Sequence, residues 1–502
     1  MAFIPSPQQQ AFFDWMTKST GSAFVEAVAG AGKTTTLVNG LGLTRGYVSF
    51  AAYNKKIADE IKVKVARLNL GSRVQVGTFH SFGFRAWRRQ HDKVQVAQGY
   101  DKTERMVQEF QIEKSLQTFV PKLISLAKQG GVGFIWQIED DSHWYSIIDH
   151  FDLMQDIETE NPEQTEQLLK RALDFAKRGV RWHAEIGPEL IDFDDMIWLP
   201  CYAGLKLFQV DWVFVDEAQD TNPCRRALAR KMLKPNGRAV FVGDRCQGIF
   251  GFTGADSDAI DQIIRDFRCT TLPLTVTYRC PQAVVAEART IVSHITAHAT
   301  APQGKISTVG QAEFMKSAAQ LTPADAILCR NTRPLVETAF ALIKRGIACH
   351  VEGRDIGMGL LKLVNRFDAR NIDDLLERLQ AYADRQCEKL IAKGRETQAE
   401  ALRDRVETIY VLAEGCKDAD CVRTKISDMF QDSENERKPT LTLSTVHKAK
   451  GREWPRVFIL GRNVYMPSKY ARQAWQQEQE RHLEYVSITR AQNELIFINV
   501  EV

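Results

Sequence analysis

Short apolar runs recur along the chain. Each is closed by a Gly-rich or polar turn and followed by a segment with helical periodicity. Ala23–Gly30 precedes Gly32–Leu41, Tyr47–Asn54 precedes Lys55–Leu68, and Trp212–Asp220 precedes Arg225–Leu233. Ala239–Asp244, Ala326–Asn331 and Val457–Gly461 are further runs of the same kind. Apolar strands alternating with helices predict an α/β protein whose parallel sheets are covered on both faces. Two stretches depart from the pattern. Arg88–Glu189 and Asn365–Lys438 are rich in charge and periodic in the helical sense, without strand–turn–helix units, and predict mainly helical insertions into the α/β domains. Gln431–Pro439 has the composition of an exposed linker.

At 502 residues the chain exceeds the ~250–300 at which one hydrophobic core stops growing, so more than one domain is expected. Its 44% hydrophobic and 26% charged content is that of a globular protein. It holds no uninterrupted apolar stretch of membrane-spanning length, about 18 residues, and its first ten residues lack the basic-then-apolar order of a secretory signal. Ten cysteines, all from Cys201 onward, form no Cys-x-x-Cys pair and predict free thiols in a reducing, cytoplasmic setting. The net charge of +3 decides nothing about nucleic acid, because a local basic groove can sit on a near-neutral protein. The basic run Arg225–Arg238 predicts a solvated helix face rather than a groove.

Candidate chemistry begins at Ala27-Val-Ala-Gly-Ala-Gly-Lys-Thr34, which follows an apolar run and opens a helix. Gly30 and Gly32 permit the tight turn that points backbone N–H groups at phosphate oxygens, and the helix N-terminus adds partial positive charge. Lys33 is then placed for the β- and γ-phosphates and Thr34 for Mg²⁺. A second apolar strand ends in Asp216-Glu217. Asp216 suits the Mg²⁺, and Glu217 suits orienting and deprotonating a water.

Phe214–Asp220, FVDEAQD, resembles the Walker B motif of superfamily one helicases of the UvrD, Rep and PcrA type. Further resemblances follow in the family's order. Ile4–Gln8 is similar to the adenine-recognising Gln motif, with Pro5 in place of Asn, and Phe50–Lys55 to motif Ia. Gly77–Phe82 resembles motif Ib, Val242–Ala255 motif III and Thr277–Arg279 motif IV. Ser444–Pro455 resembles motif V and Glu480–Ala491 motif VI.

The resemblance implies two RecA-like P-loop domains with ATP and Mg²⁺ between them. The ATP-binding set would be Gln8, Ala29, Gly30, Ala31, Gly32, Lys33, Thr34, Thr35, Tyr278, Arg279, Gly451, Glu453 and Arg490. Gln8 would meet the adenine edge, Tyr278 would stack on the base and Glu453 would accept from the ribose. Gln247 would sense the γ-phosphate, and Arg279 and Arg490 would approach it. Thr34 and Asp216 would hold the metal. Single-stranded DNA, or a single-strand/duplex junction, would meet Tyr53, Asn54, Thr78, Phe79, His80, Phe252 and His447, with Phe252 where the family usually has Trp. The implied activity is DNA-stimulated ATP hydrolysis coupled through domain closure to 3′-to-5′ movement, serving DNA repair or replication in the cytoplasm. No membrane is involved, protein partners are unspecified, and action as a monomer is compatible with the motifs.

The expected boundaries are 1–87 and 190–268 for the first domain around an insertion at 88–189. The second domain takes 269–364 and 439–502 around a short insertion at 365–438. That second insertion is far shorter than in large family members, which keeps open a translocase that separates few base pairs. A nucleotide-gated scaffold without turnover is the non-enzymatic alternative, and the complete set of phosphate-site residues argues against it.

Overall fold

A computed structural model describes residues 3–99, 101–151, 153–157, 161–249, 258–367, 369–392, 396–430, 440–469, 471 and 474–501. The chain divides into two compact units. The first is Met1–Ala27 with Gly32–Leu274, and the second is Val28–Ala31 with Thr275–Val502.

The first unit carries strands β1 (Ala23–Ala27), β2 (Val48–Ala51), β3 (Val74–Gly77), β4 (Gln95–Val96), β5 (Leu190–Ile191), β6 (Val210–Val215), β7 (Leu233–Gly243) and β8 (Thr270–Leu274). Six of them form one sheet in the order β3-β2-β6-β7-β1-β8, paired in parallel throughout. The central strands are almost wholly buried, as their continuous apolar runs require. In a parallel sheet all strands finish at the same edge. That edge therefore collects the turns after Ala27, Ala51, Gly77, Val215 and Gly243, where ligands of such sheets are held. β8 pairs with β1, so this unit runs to Leu274, beyond the expected boundary at 268.

Its helices are α1 (Pro7–Lys18), α2 (Lys33–Gly40), α3 (Lys55–Arg67), α4 (Phe79–Arg88), α5 (Asp101–Glu109), α6 (Phe119–Gln129), α7 (Asp141–His150), α8 (Pro162–Ile186), α9 (Phe193–Tyr202), α10 (Pro223–Lys231) and α11 (Ala259–Phe267). α4 to α9 lie between β3 and β6, and the two-residue parallel pair β4–β5 brackets α5 to α8. One continuous core runs from the sheet through Phe119, Leu123, Trp144, Ala176 and Trp198. Charge fastens the same region. Lys102 and Lys128, both buried, reach Asp195 of α9, and Lys128 Nζ also lies 3.0 Å from Asp192 and 2.7 Å from His183 Nδ1. His183, Asp192 and Asp195 have the spacing of a metal cluster, but the Lys128 ammonium takes the central position.

The basic run Arg225–Arg238 is a solvated face only in part, with Arg230 and Lys234 exposed. Arg226 is buried and donates to the Thr221 carbonyl and to Gln262. Arg230 lies over Phe267, and Arg238 lies over both Trp15 and Trp212 at 4.6 and 4.1 Å. The long aliphatic stems and flat guanidinium groups cover apolar surface, which a charge count does not reveal.

The second unit carries β9 (Val276–Thr277), β10 (Thr296–Ala297), β11 (Lys305–Gly310), β12 (Asp325–Cys329), β13 (Cys349–Val351), β14 (Leu441–Thr445), β15 (Trp454–Leu460) and β16 (Ala491–Asn499). Its main sheet has the order β11-β16-β15-β12-β14-β13, again parallel. Its helices are α12 (Gln282–Ala288), α13 (Gln311–Ser317), α14 (Thr332–Ile343), α15 (Arg354–Val364), α16 (Ile372–Ala392), α17 (Glu396–Ala413), α18 (Ala419–Met429), α19 (Arg462–Tyr465) and α20 (Ala474–Ile488). α15 to α18 fill the interval between β13 and β14, and their buried residues share a core with α14 and the sheet. Cys416 and Cys421, expected as free thiols, form a disulfide with Cα atoms 5.6 Å apart. The turn from α17 into α18 brings together two residues whose spacing in sequence gave no such sign. The eight other cysteines are free.

Candidate functional site

The phosphate-loop geometry follows from its glycines. Gly30 and Gly32 adopt φ of +70° and +74°, the left-handed region where a Cβ is costly. The chain then turns into α2, placing Lys33 and Thr34 in its first turn. Ala29 and Ala31 are buried, whereas Thr35 is exposed.

Three acidic side chains face this turn from the ends of neighbouring strands. Asp216 and Glu217 follow β6, and Asp244 follows β7. Lys33 Nζ lies 3.1 and 3.2 Å from the two Glu217 carboxylate oxygens. Thr34 Oγ1 donates to Asp216 Oδ2 at 2.9 Å. Burial alone would lower the Lys33 pKa, but the charges of Glu217, Asp244 and Asp216 outweigh it and hold the ammonium above its ordinary value. Burial, then the Glu217 charge, pushes Asp216 up to about 6, and burial also raises Asp244. One ammonium facing two buried carboxyl groups and the half-buried Glu217 leaves negative charge to spare. The Thr34 hydroxyl and Asp216 carboxylate are hard oxygen donors, so the residues present fit Mg²⁺.

Gln219 couples two of these acids. Its amide nitrogen donates to Glu217 and its oxygen accepts the Asp244 N–H at 3.1 Å. Asp244 in turn accepts from Gln247 Nε2 at 2.7 Å. Glu217 has φ +50° and ψ +48°, a left-handed conformation costing a non-glycine residue about 1–2 kcal/mol. At the other side of α2, buried Gln9 donates to Thr36 at 2.9 Å. It thereby fixes α1, whose first turn carries the half-buried Gln8.

A second group surrounds the turns after β2 and β3. Tyr53 is 42% exposed. Asn54 caps α3 by accepting the Ile57 N–H, and Thr78 caps α4 by accepting that of Ser81. Phe79 is packed into the core with only an edge on the cleft. His80 is kept neutral near pH 7, because burial and then Arg225 push its pKa down to about 4. Phe252 lies outside the described residues.

The sequence reading overlooked Phe193. It opens α9, is 64% exposed, and meets His80 edge-on with ring centroids 5.6 Å apart. An exposed ring beside a neutral imidazole is a ready stacking surface for a base. The juxtaposition depends on Gly83 of α4, where a Cβ would come within 1.9 Å of the Met196 carbonyl oxygen of α9. Arg225 was also missed. It lines this cleft together with Tyr53, Phe79, His80 and Glu217.

In the second unit, Glu453 and Arg490 immediately precede the adjacent strands β15 and β16, whose first residues Trp454 and Ala491 are paired. Arg490 is buried and donates to the Val486 and Arg452 carbonyls at 2.9 and 3.1 Å. Arg279 forms an ion pair with Glu453 and donates to the Thr489 carbonyl at 3.3 Å. Arg279, Glu453 and Arg490 are thus gathered at one place. Tyr278 is 45% exposed, its ring 4.9 Å from His298. Gly451 has φ +85°. His447 follows β14, at the opposite edge of the sheet. Burial, then Arg330, Lys450 and Lys448, hold its pKa down to about 3.

Residues 7–268 match the family model for the UvrD/REP helicase N-terminal domain, and residues 362–501 match that for the UvrD-like helicase C-terminal domain. Among curated proteins, a probable DNA helicase II homolog of Mycoplasma pneumoniae is 25% identical over 321 residues, covering 57% of this chain and 42% of that protein. DNA helicase II of Haemophilus influenzae is 24% identical over 293 residues, covering 55% and 38%. The ATP-dependent DNA helicase PcrA of Staphylococcus epidermidis is 24% identical over 306 residues, with the same two coverages. The chain therefore spans about two fifths of the length of the curated relatives it matches.

Proposed function

Because the chain belongs to the UvrD/REP helicase family, we propose that it is an ATP-driven motor on single-stranded DNA that moves 3′-to-5′ and separates strands. The observation that carries this reading is the cluster of Lys33, Thr34, Asp216, Glu217 and Asp244 at one sheet edge. Lys33 binds the β- and γ-phosphates of ATP. Thr34 and Asp216 hold Mg²⁺, which when bound neutralises charge on the transferring phosphoryl group. Glu217 orients the attacking water and accepts its proton at a carboxylate oxygen. Gln219 ties that carboxylate to the Asp244 backbone N–H, and Gln247 donates to the Asp244 carboxylate. Gln8 and Tyr278 recognise the base and Glu453 the ribose. Arg279 and Arg490 add positive charge at the phosphoryl group, a contribution that in phosphoryl transfer raises turnover by ~10³–10⁵. Closure of the two units around ATP converts hydrolysis into movement.

Tyr53, His80 and Phe193 offer aromatic surface to successive bases, at ~1–3 kcal/mol per stacked base. Asn54, Thr78 and His447 contribute polar contacts. Among the described residues no helix is long and apolar enough to cross a membrane. The role proposed for this motor is in DNA repair or replication in the cytoplasm.

The test is ATP hydrolysis with and without an oligonucleotide, beside forked duplexes carrying a 3′ or a 5′ tail. Stimulated hydrolysis with 3′-tailed unwinding supports the reading, and hydrolysis indifferent to the oligonucleotide overturns it. The three-helix insertion α16–α18 favours a second reading, a translocase that separates few base pairs. Stimulated hydrolysis without unwinding of either fork selects it.

A further inference from the structure

We propose that Arg225 is a backbone-phosphate contact of the bound strand, an assignment that rests on the single-strand reading above. Arg225 occupies the first turn of α10, where Asn222 caps the helix by accepting its N–H at 2.9 Å. Helix N-termini carry partial positive charge, so a cation there is opposed by the dipole unless an anion is close. Among the described residues no carboxylate pairs with it. Its guanidinium donates one bond, from Nη1 to the Asp220 carbonyl at 3.0 Å, and its Nε is buried without a partner.

The other cations nearby are engaged differently. Lys128, which shares with Arg225 and His80 a cleft of about 210 Å³, is held by Asp192, Asp195 and His183. Arg226, the next residue, is turned to the Thr221 carbonyl and Gln262. Arg225 also lines the adjoining cleft with Tyr53, Phe79, His80, Asp216 and Glu217, and its charge acts on both the Tyr53 hydroxyl and the His80 imidazole. His80 is neutral, so the positive charge at this crossing of ring surfaces is that of Arg225. A strand with bases on Phe193, His80 and Tyr53 presents phosphates between them. A guanidinium with unused donors is matched to such an oxyanion.

The test separates charge from shape. Binding of oligo-dT to the full chain is measured from low to moderate salt for the wild type, Arg225→Gln and Arg225→Lys. One phosphate contact on single strands contributes ~0.7 to the slope of log K against log salt. Arg225→Gln is expected to bind more weakly at low salt and to lose ~0.7 of slope, equally on oligo-dT and oligo-dA. Arg225→Lys is expected to keep the slope. An Arg225→Gln protein that melts like the wild type and keeps its full slope overturns the assignment while leaving the single-strand reading intact. A wild type that binds no oligonucleotide at any salt overturns both.

Discussion

Asp216, Glu217 and Asp244 face one ammonium group, and the imbalance sets how this site answers to pH. Asp216 titrates near 6 instead of the ordinary 3.8. A carboxyl group whose folded pKa is raised favours the folded state below its unfolded value, and that contribution is lost as pH rises through the folded value. For Asp216 the window runs from about 3.8 to about 6. Mg²⁺ requires the ionised form, so its stabilisation follows the opposite trend. Thermal melts with and without Mg²⁺ should show a larger metal-induced shift at pH 7.5 than at pH 5, and Asp216→Asn should lose most of it. Equal shifts at both pH values would argue against the metal assignment. Glu217→Gln should bind ATP but fail to turn it over, as phosphate release would report. Lys33→Ala should abolish turnover and also unfold more easily, by ~3–5 kcal/mol, because it leaves buried carboxylates uncompensated. Normal hydrolysis by either variant removes the proposed roles.

Elements decide which of these residues meet. The phosphate loop and the Asp216-Glu217 strand end were legible because their chemistry is written in contiguous residues with fixed turns. Phe193 was not, because more than a hundred residues separate it from His80 in sequence. Only the approach of α4 to α9 brings the two rings together, and one glycine permits that approach. Gly83→Ala would set a methyl group against a backbone carbonyl, which no rotamer change relieves. A destabilisation of ~1–3 kcal/mol is expected, with weaker oligonucleotide binding; a calorimetric melt and a binding titration read the two effects. An unchanged melt would mean that the helices separate freely. The Lys102–Lys128 cluster was equally hidden, since its members come from α5, α6, α8 and α9. Lys128→Met should cost ~3–5 kcal/mol in urea unfolding, because Asp192 loses its buried cation and Asp195 keeps only Lys102. A loss within error would place the cluster's worth elsewhere. Arg225 was misjudged for a related reason: basic residues along one helix look alike in sequence, although some cover aromatic rings and one lines a cleft.

At the scale of the whole molecule, alternation of apolar runs with helices was enough to announce two parallel sheets, because both faces of every central strand must be covered. It was not enough to order the strands. β1 lies between β7 and β8, and neither partner follows it closely in the chain. The strand that launches the phosphate loop is therefore made first and paired late. Its earliest neighbour emerges roughly 200 residues afterwards, and a ribosome working at about 5–20 residues per second needs on the order of 10–40 s to supply it. During that interval β1 has neither of its sheet partners, and an unpaired apolar strand is open to mispairing. Lys33 and Asp244 can face one another only once β7 has closed on β1, so the proposed phosphate site takes shape late in the synthesis of the first unit.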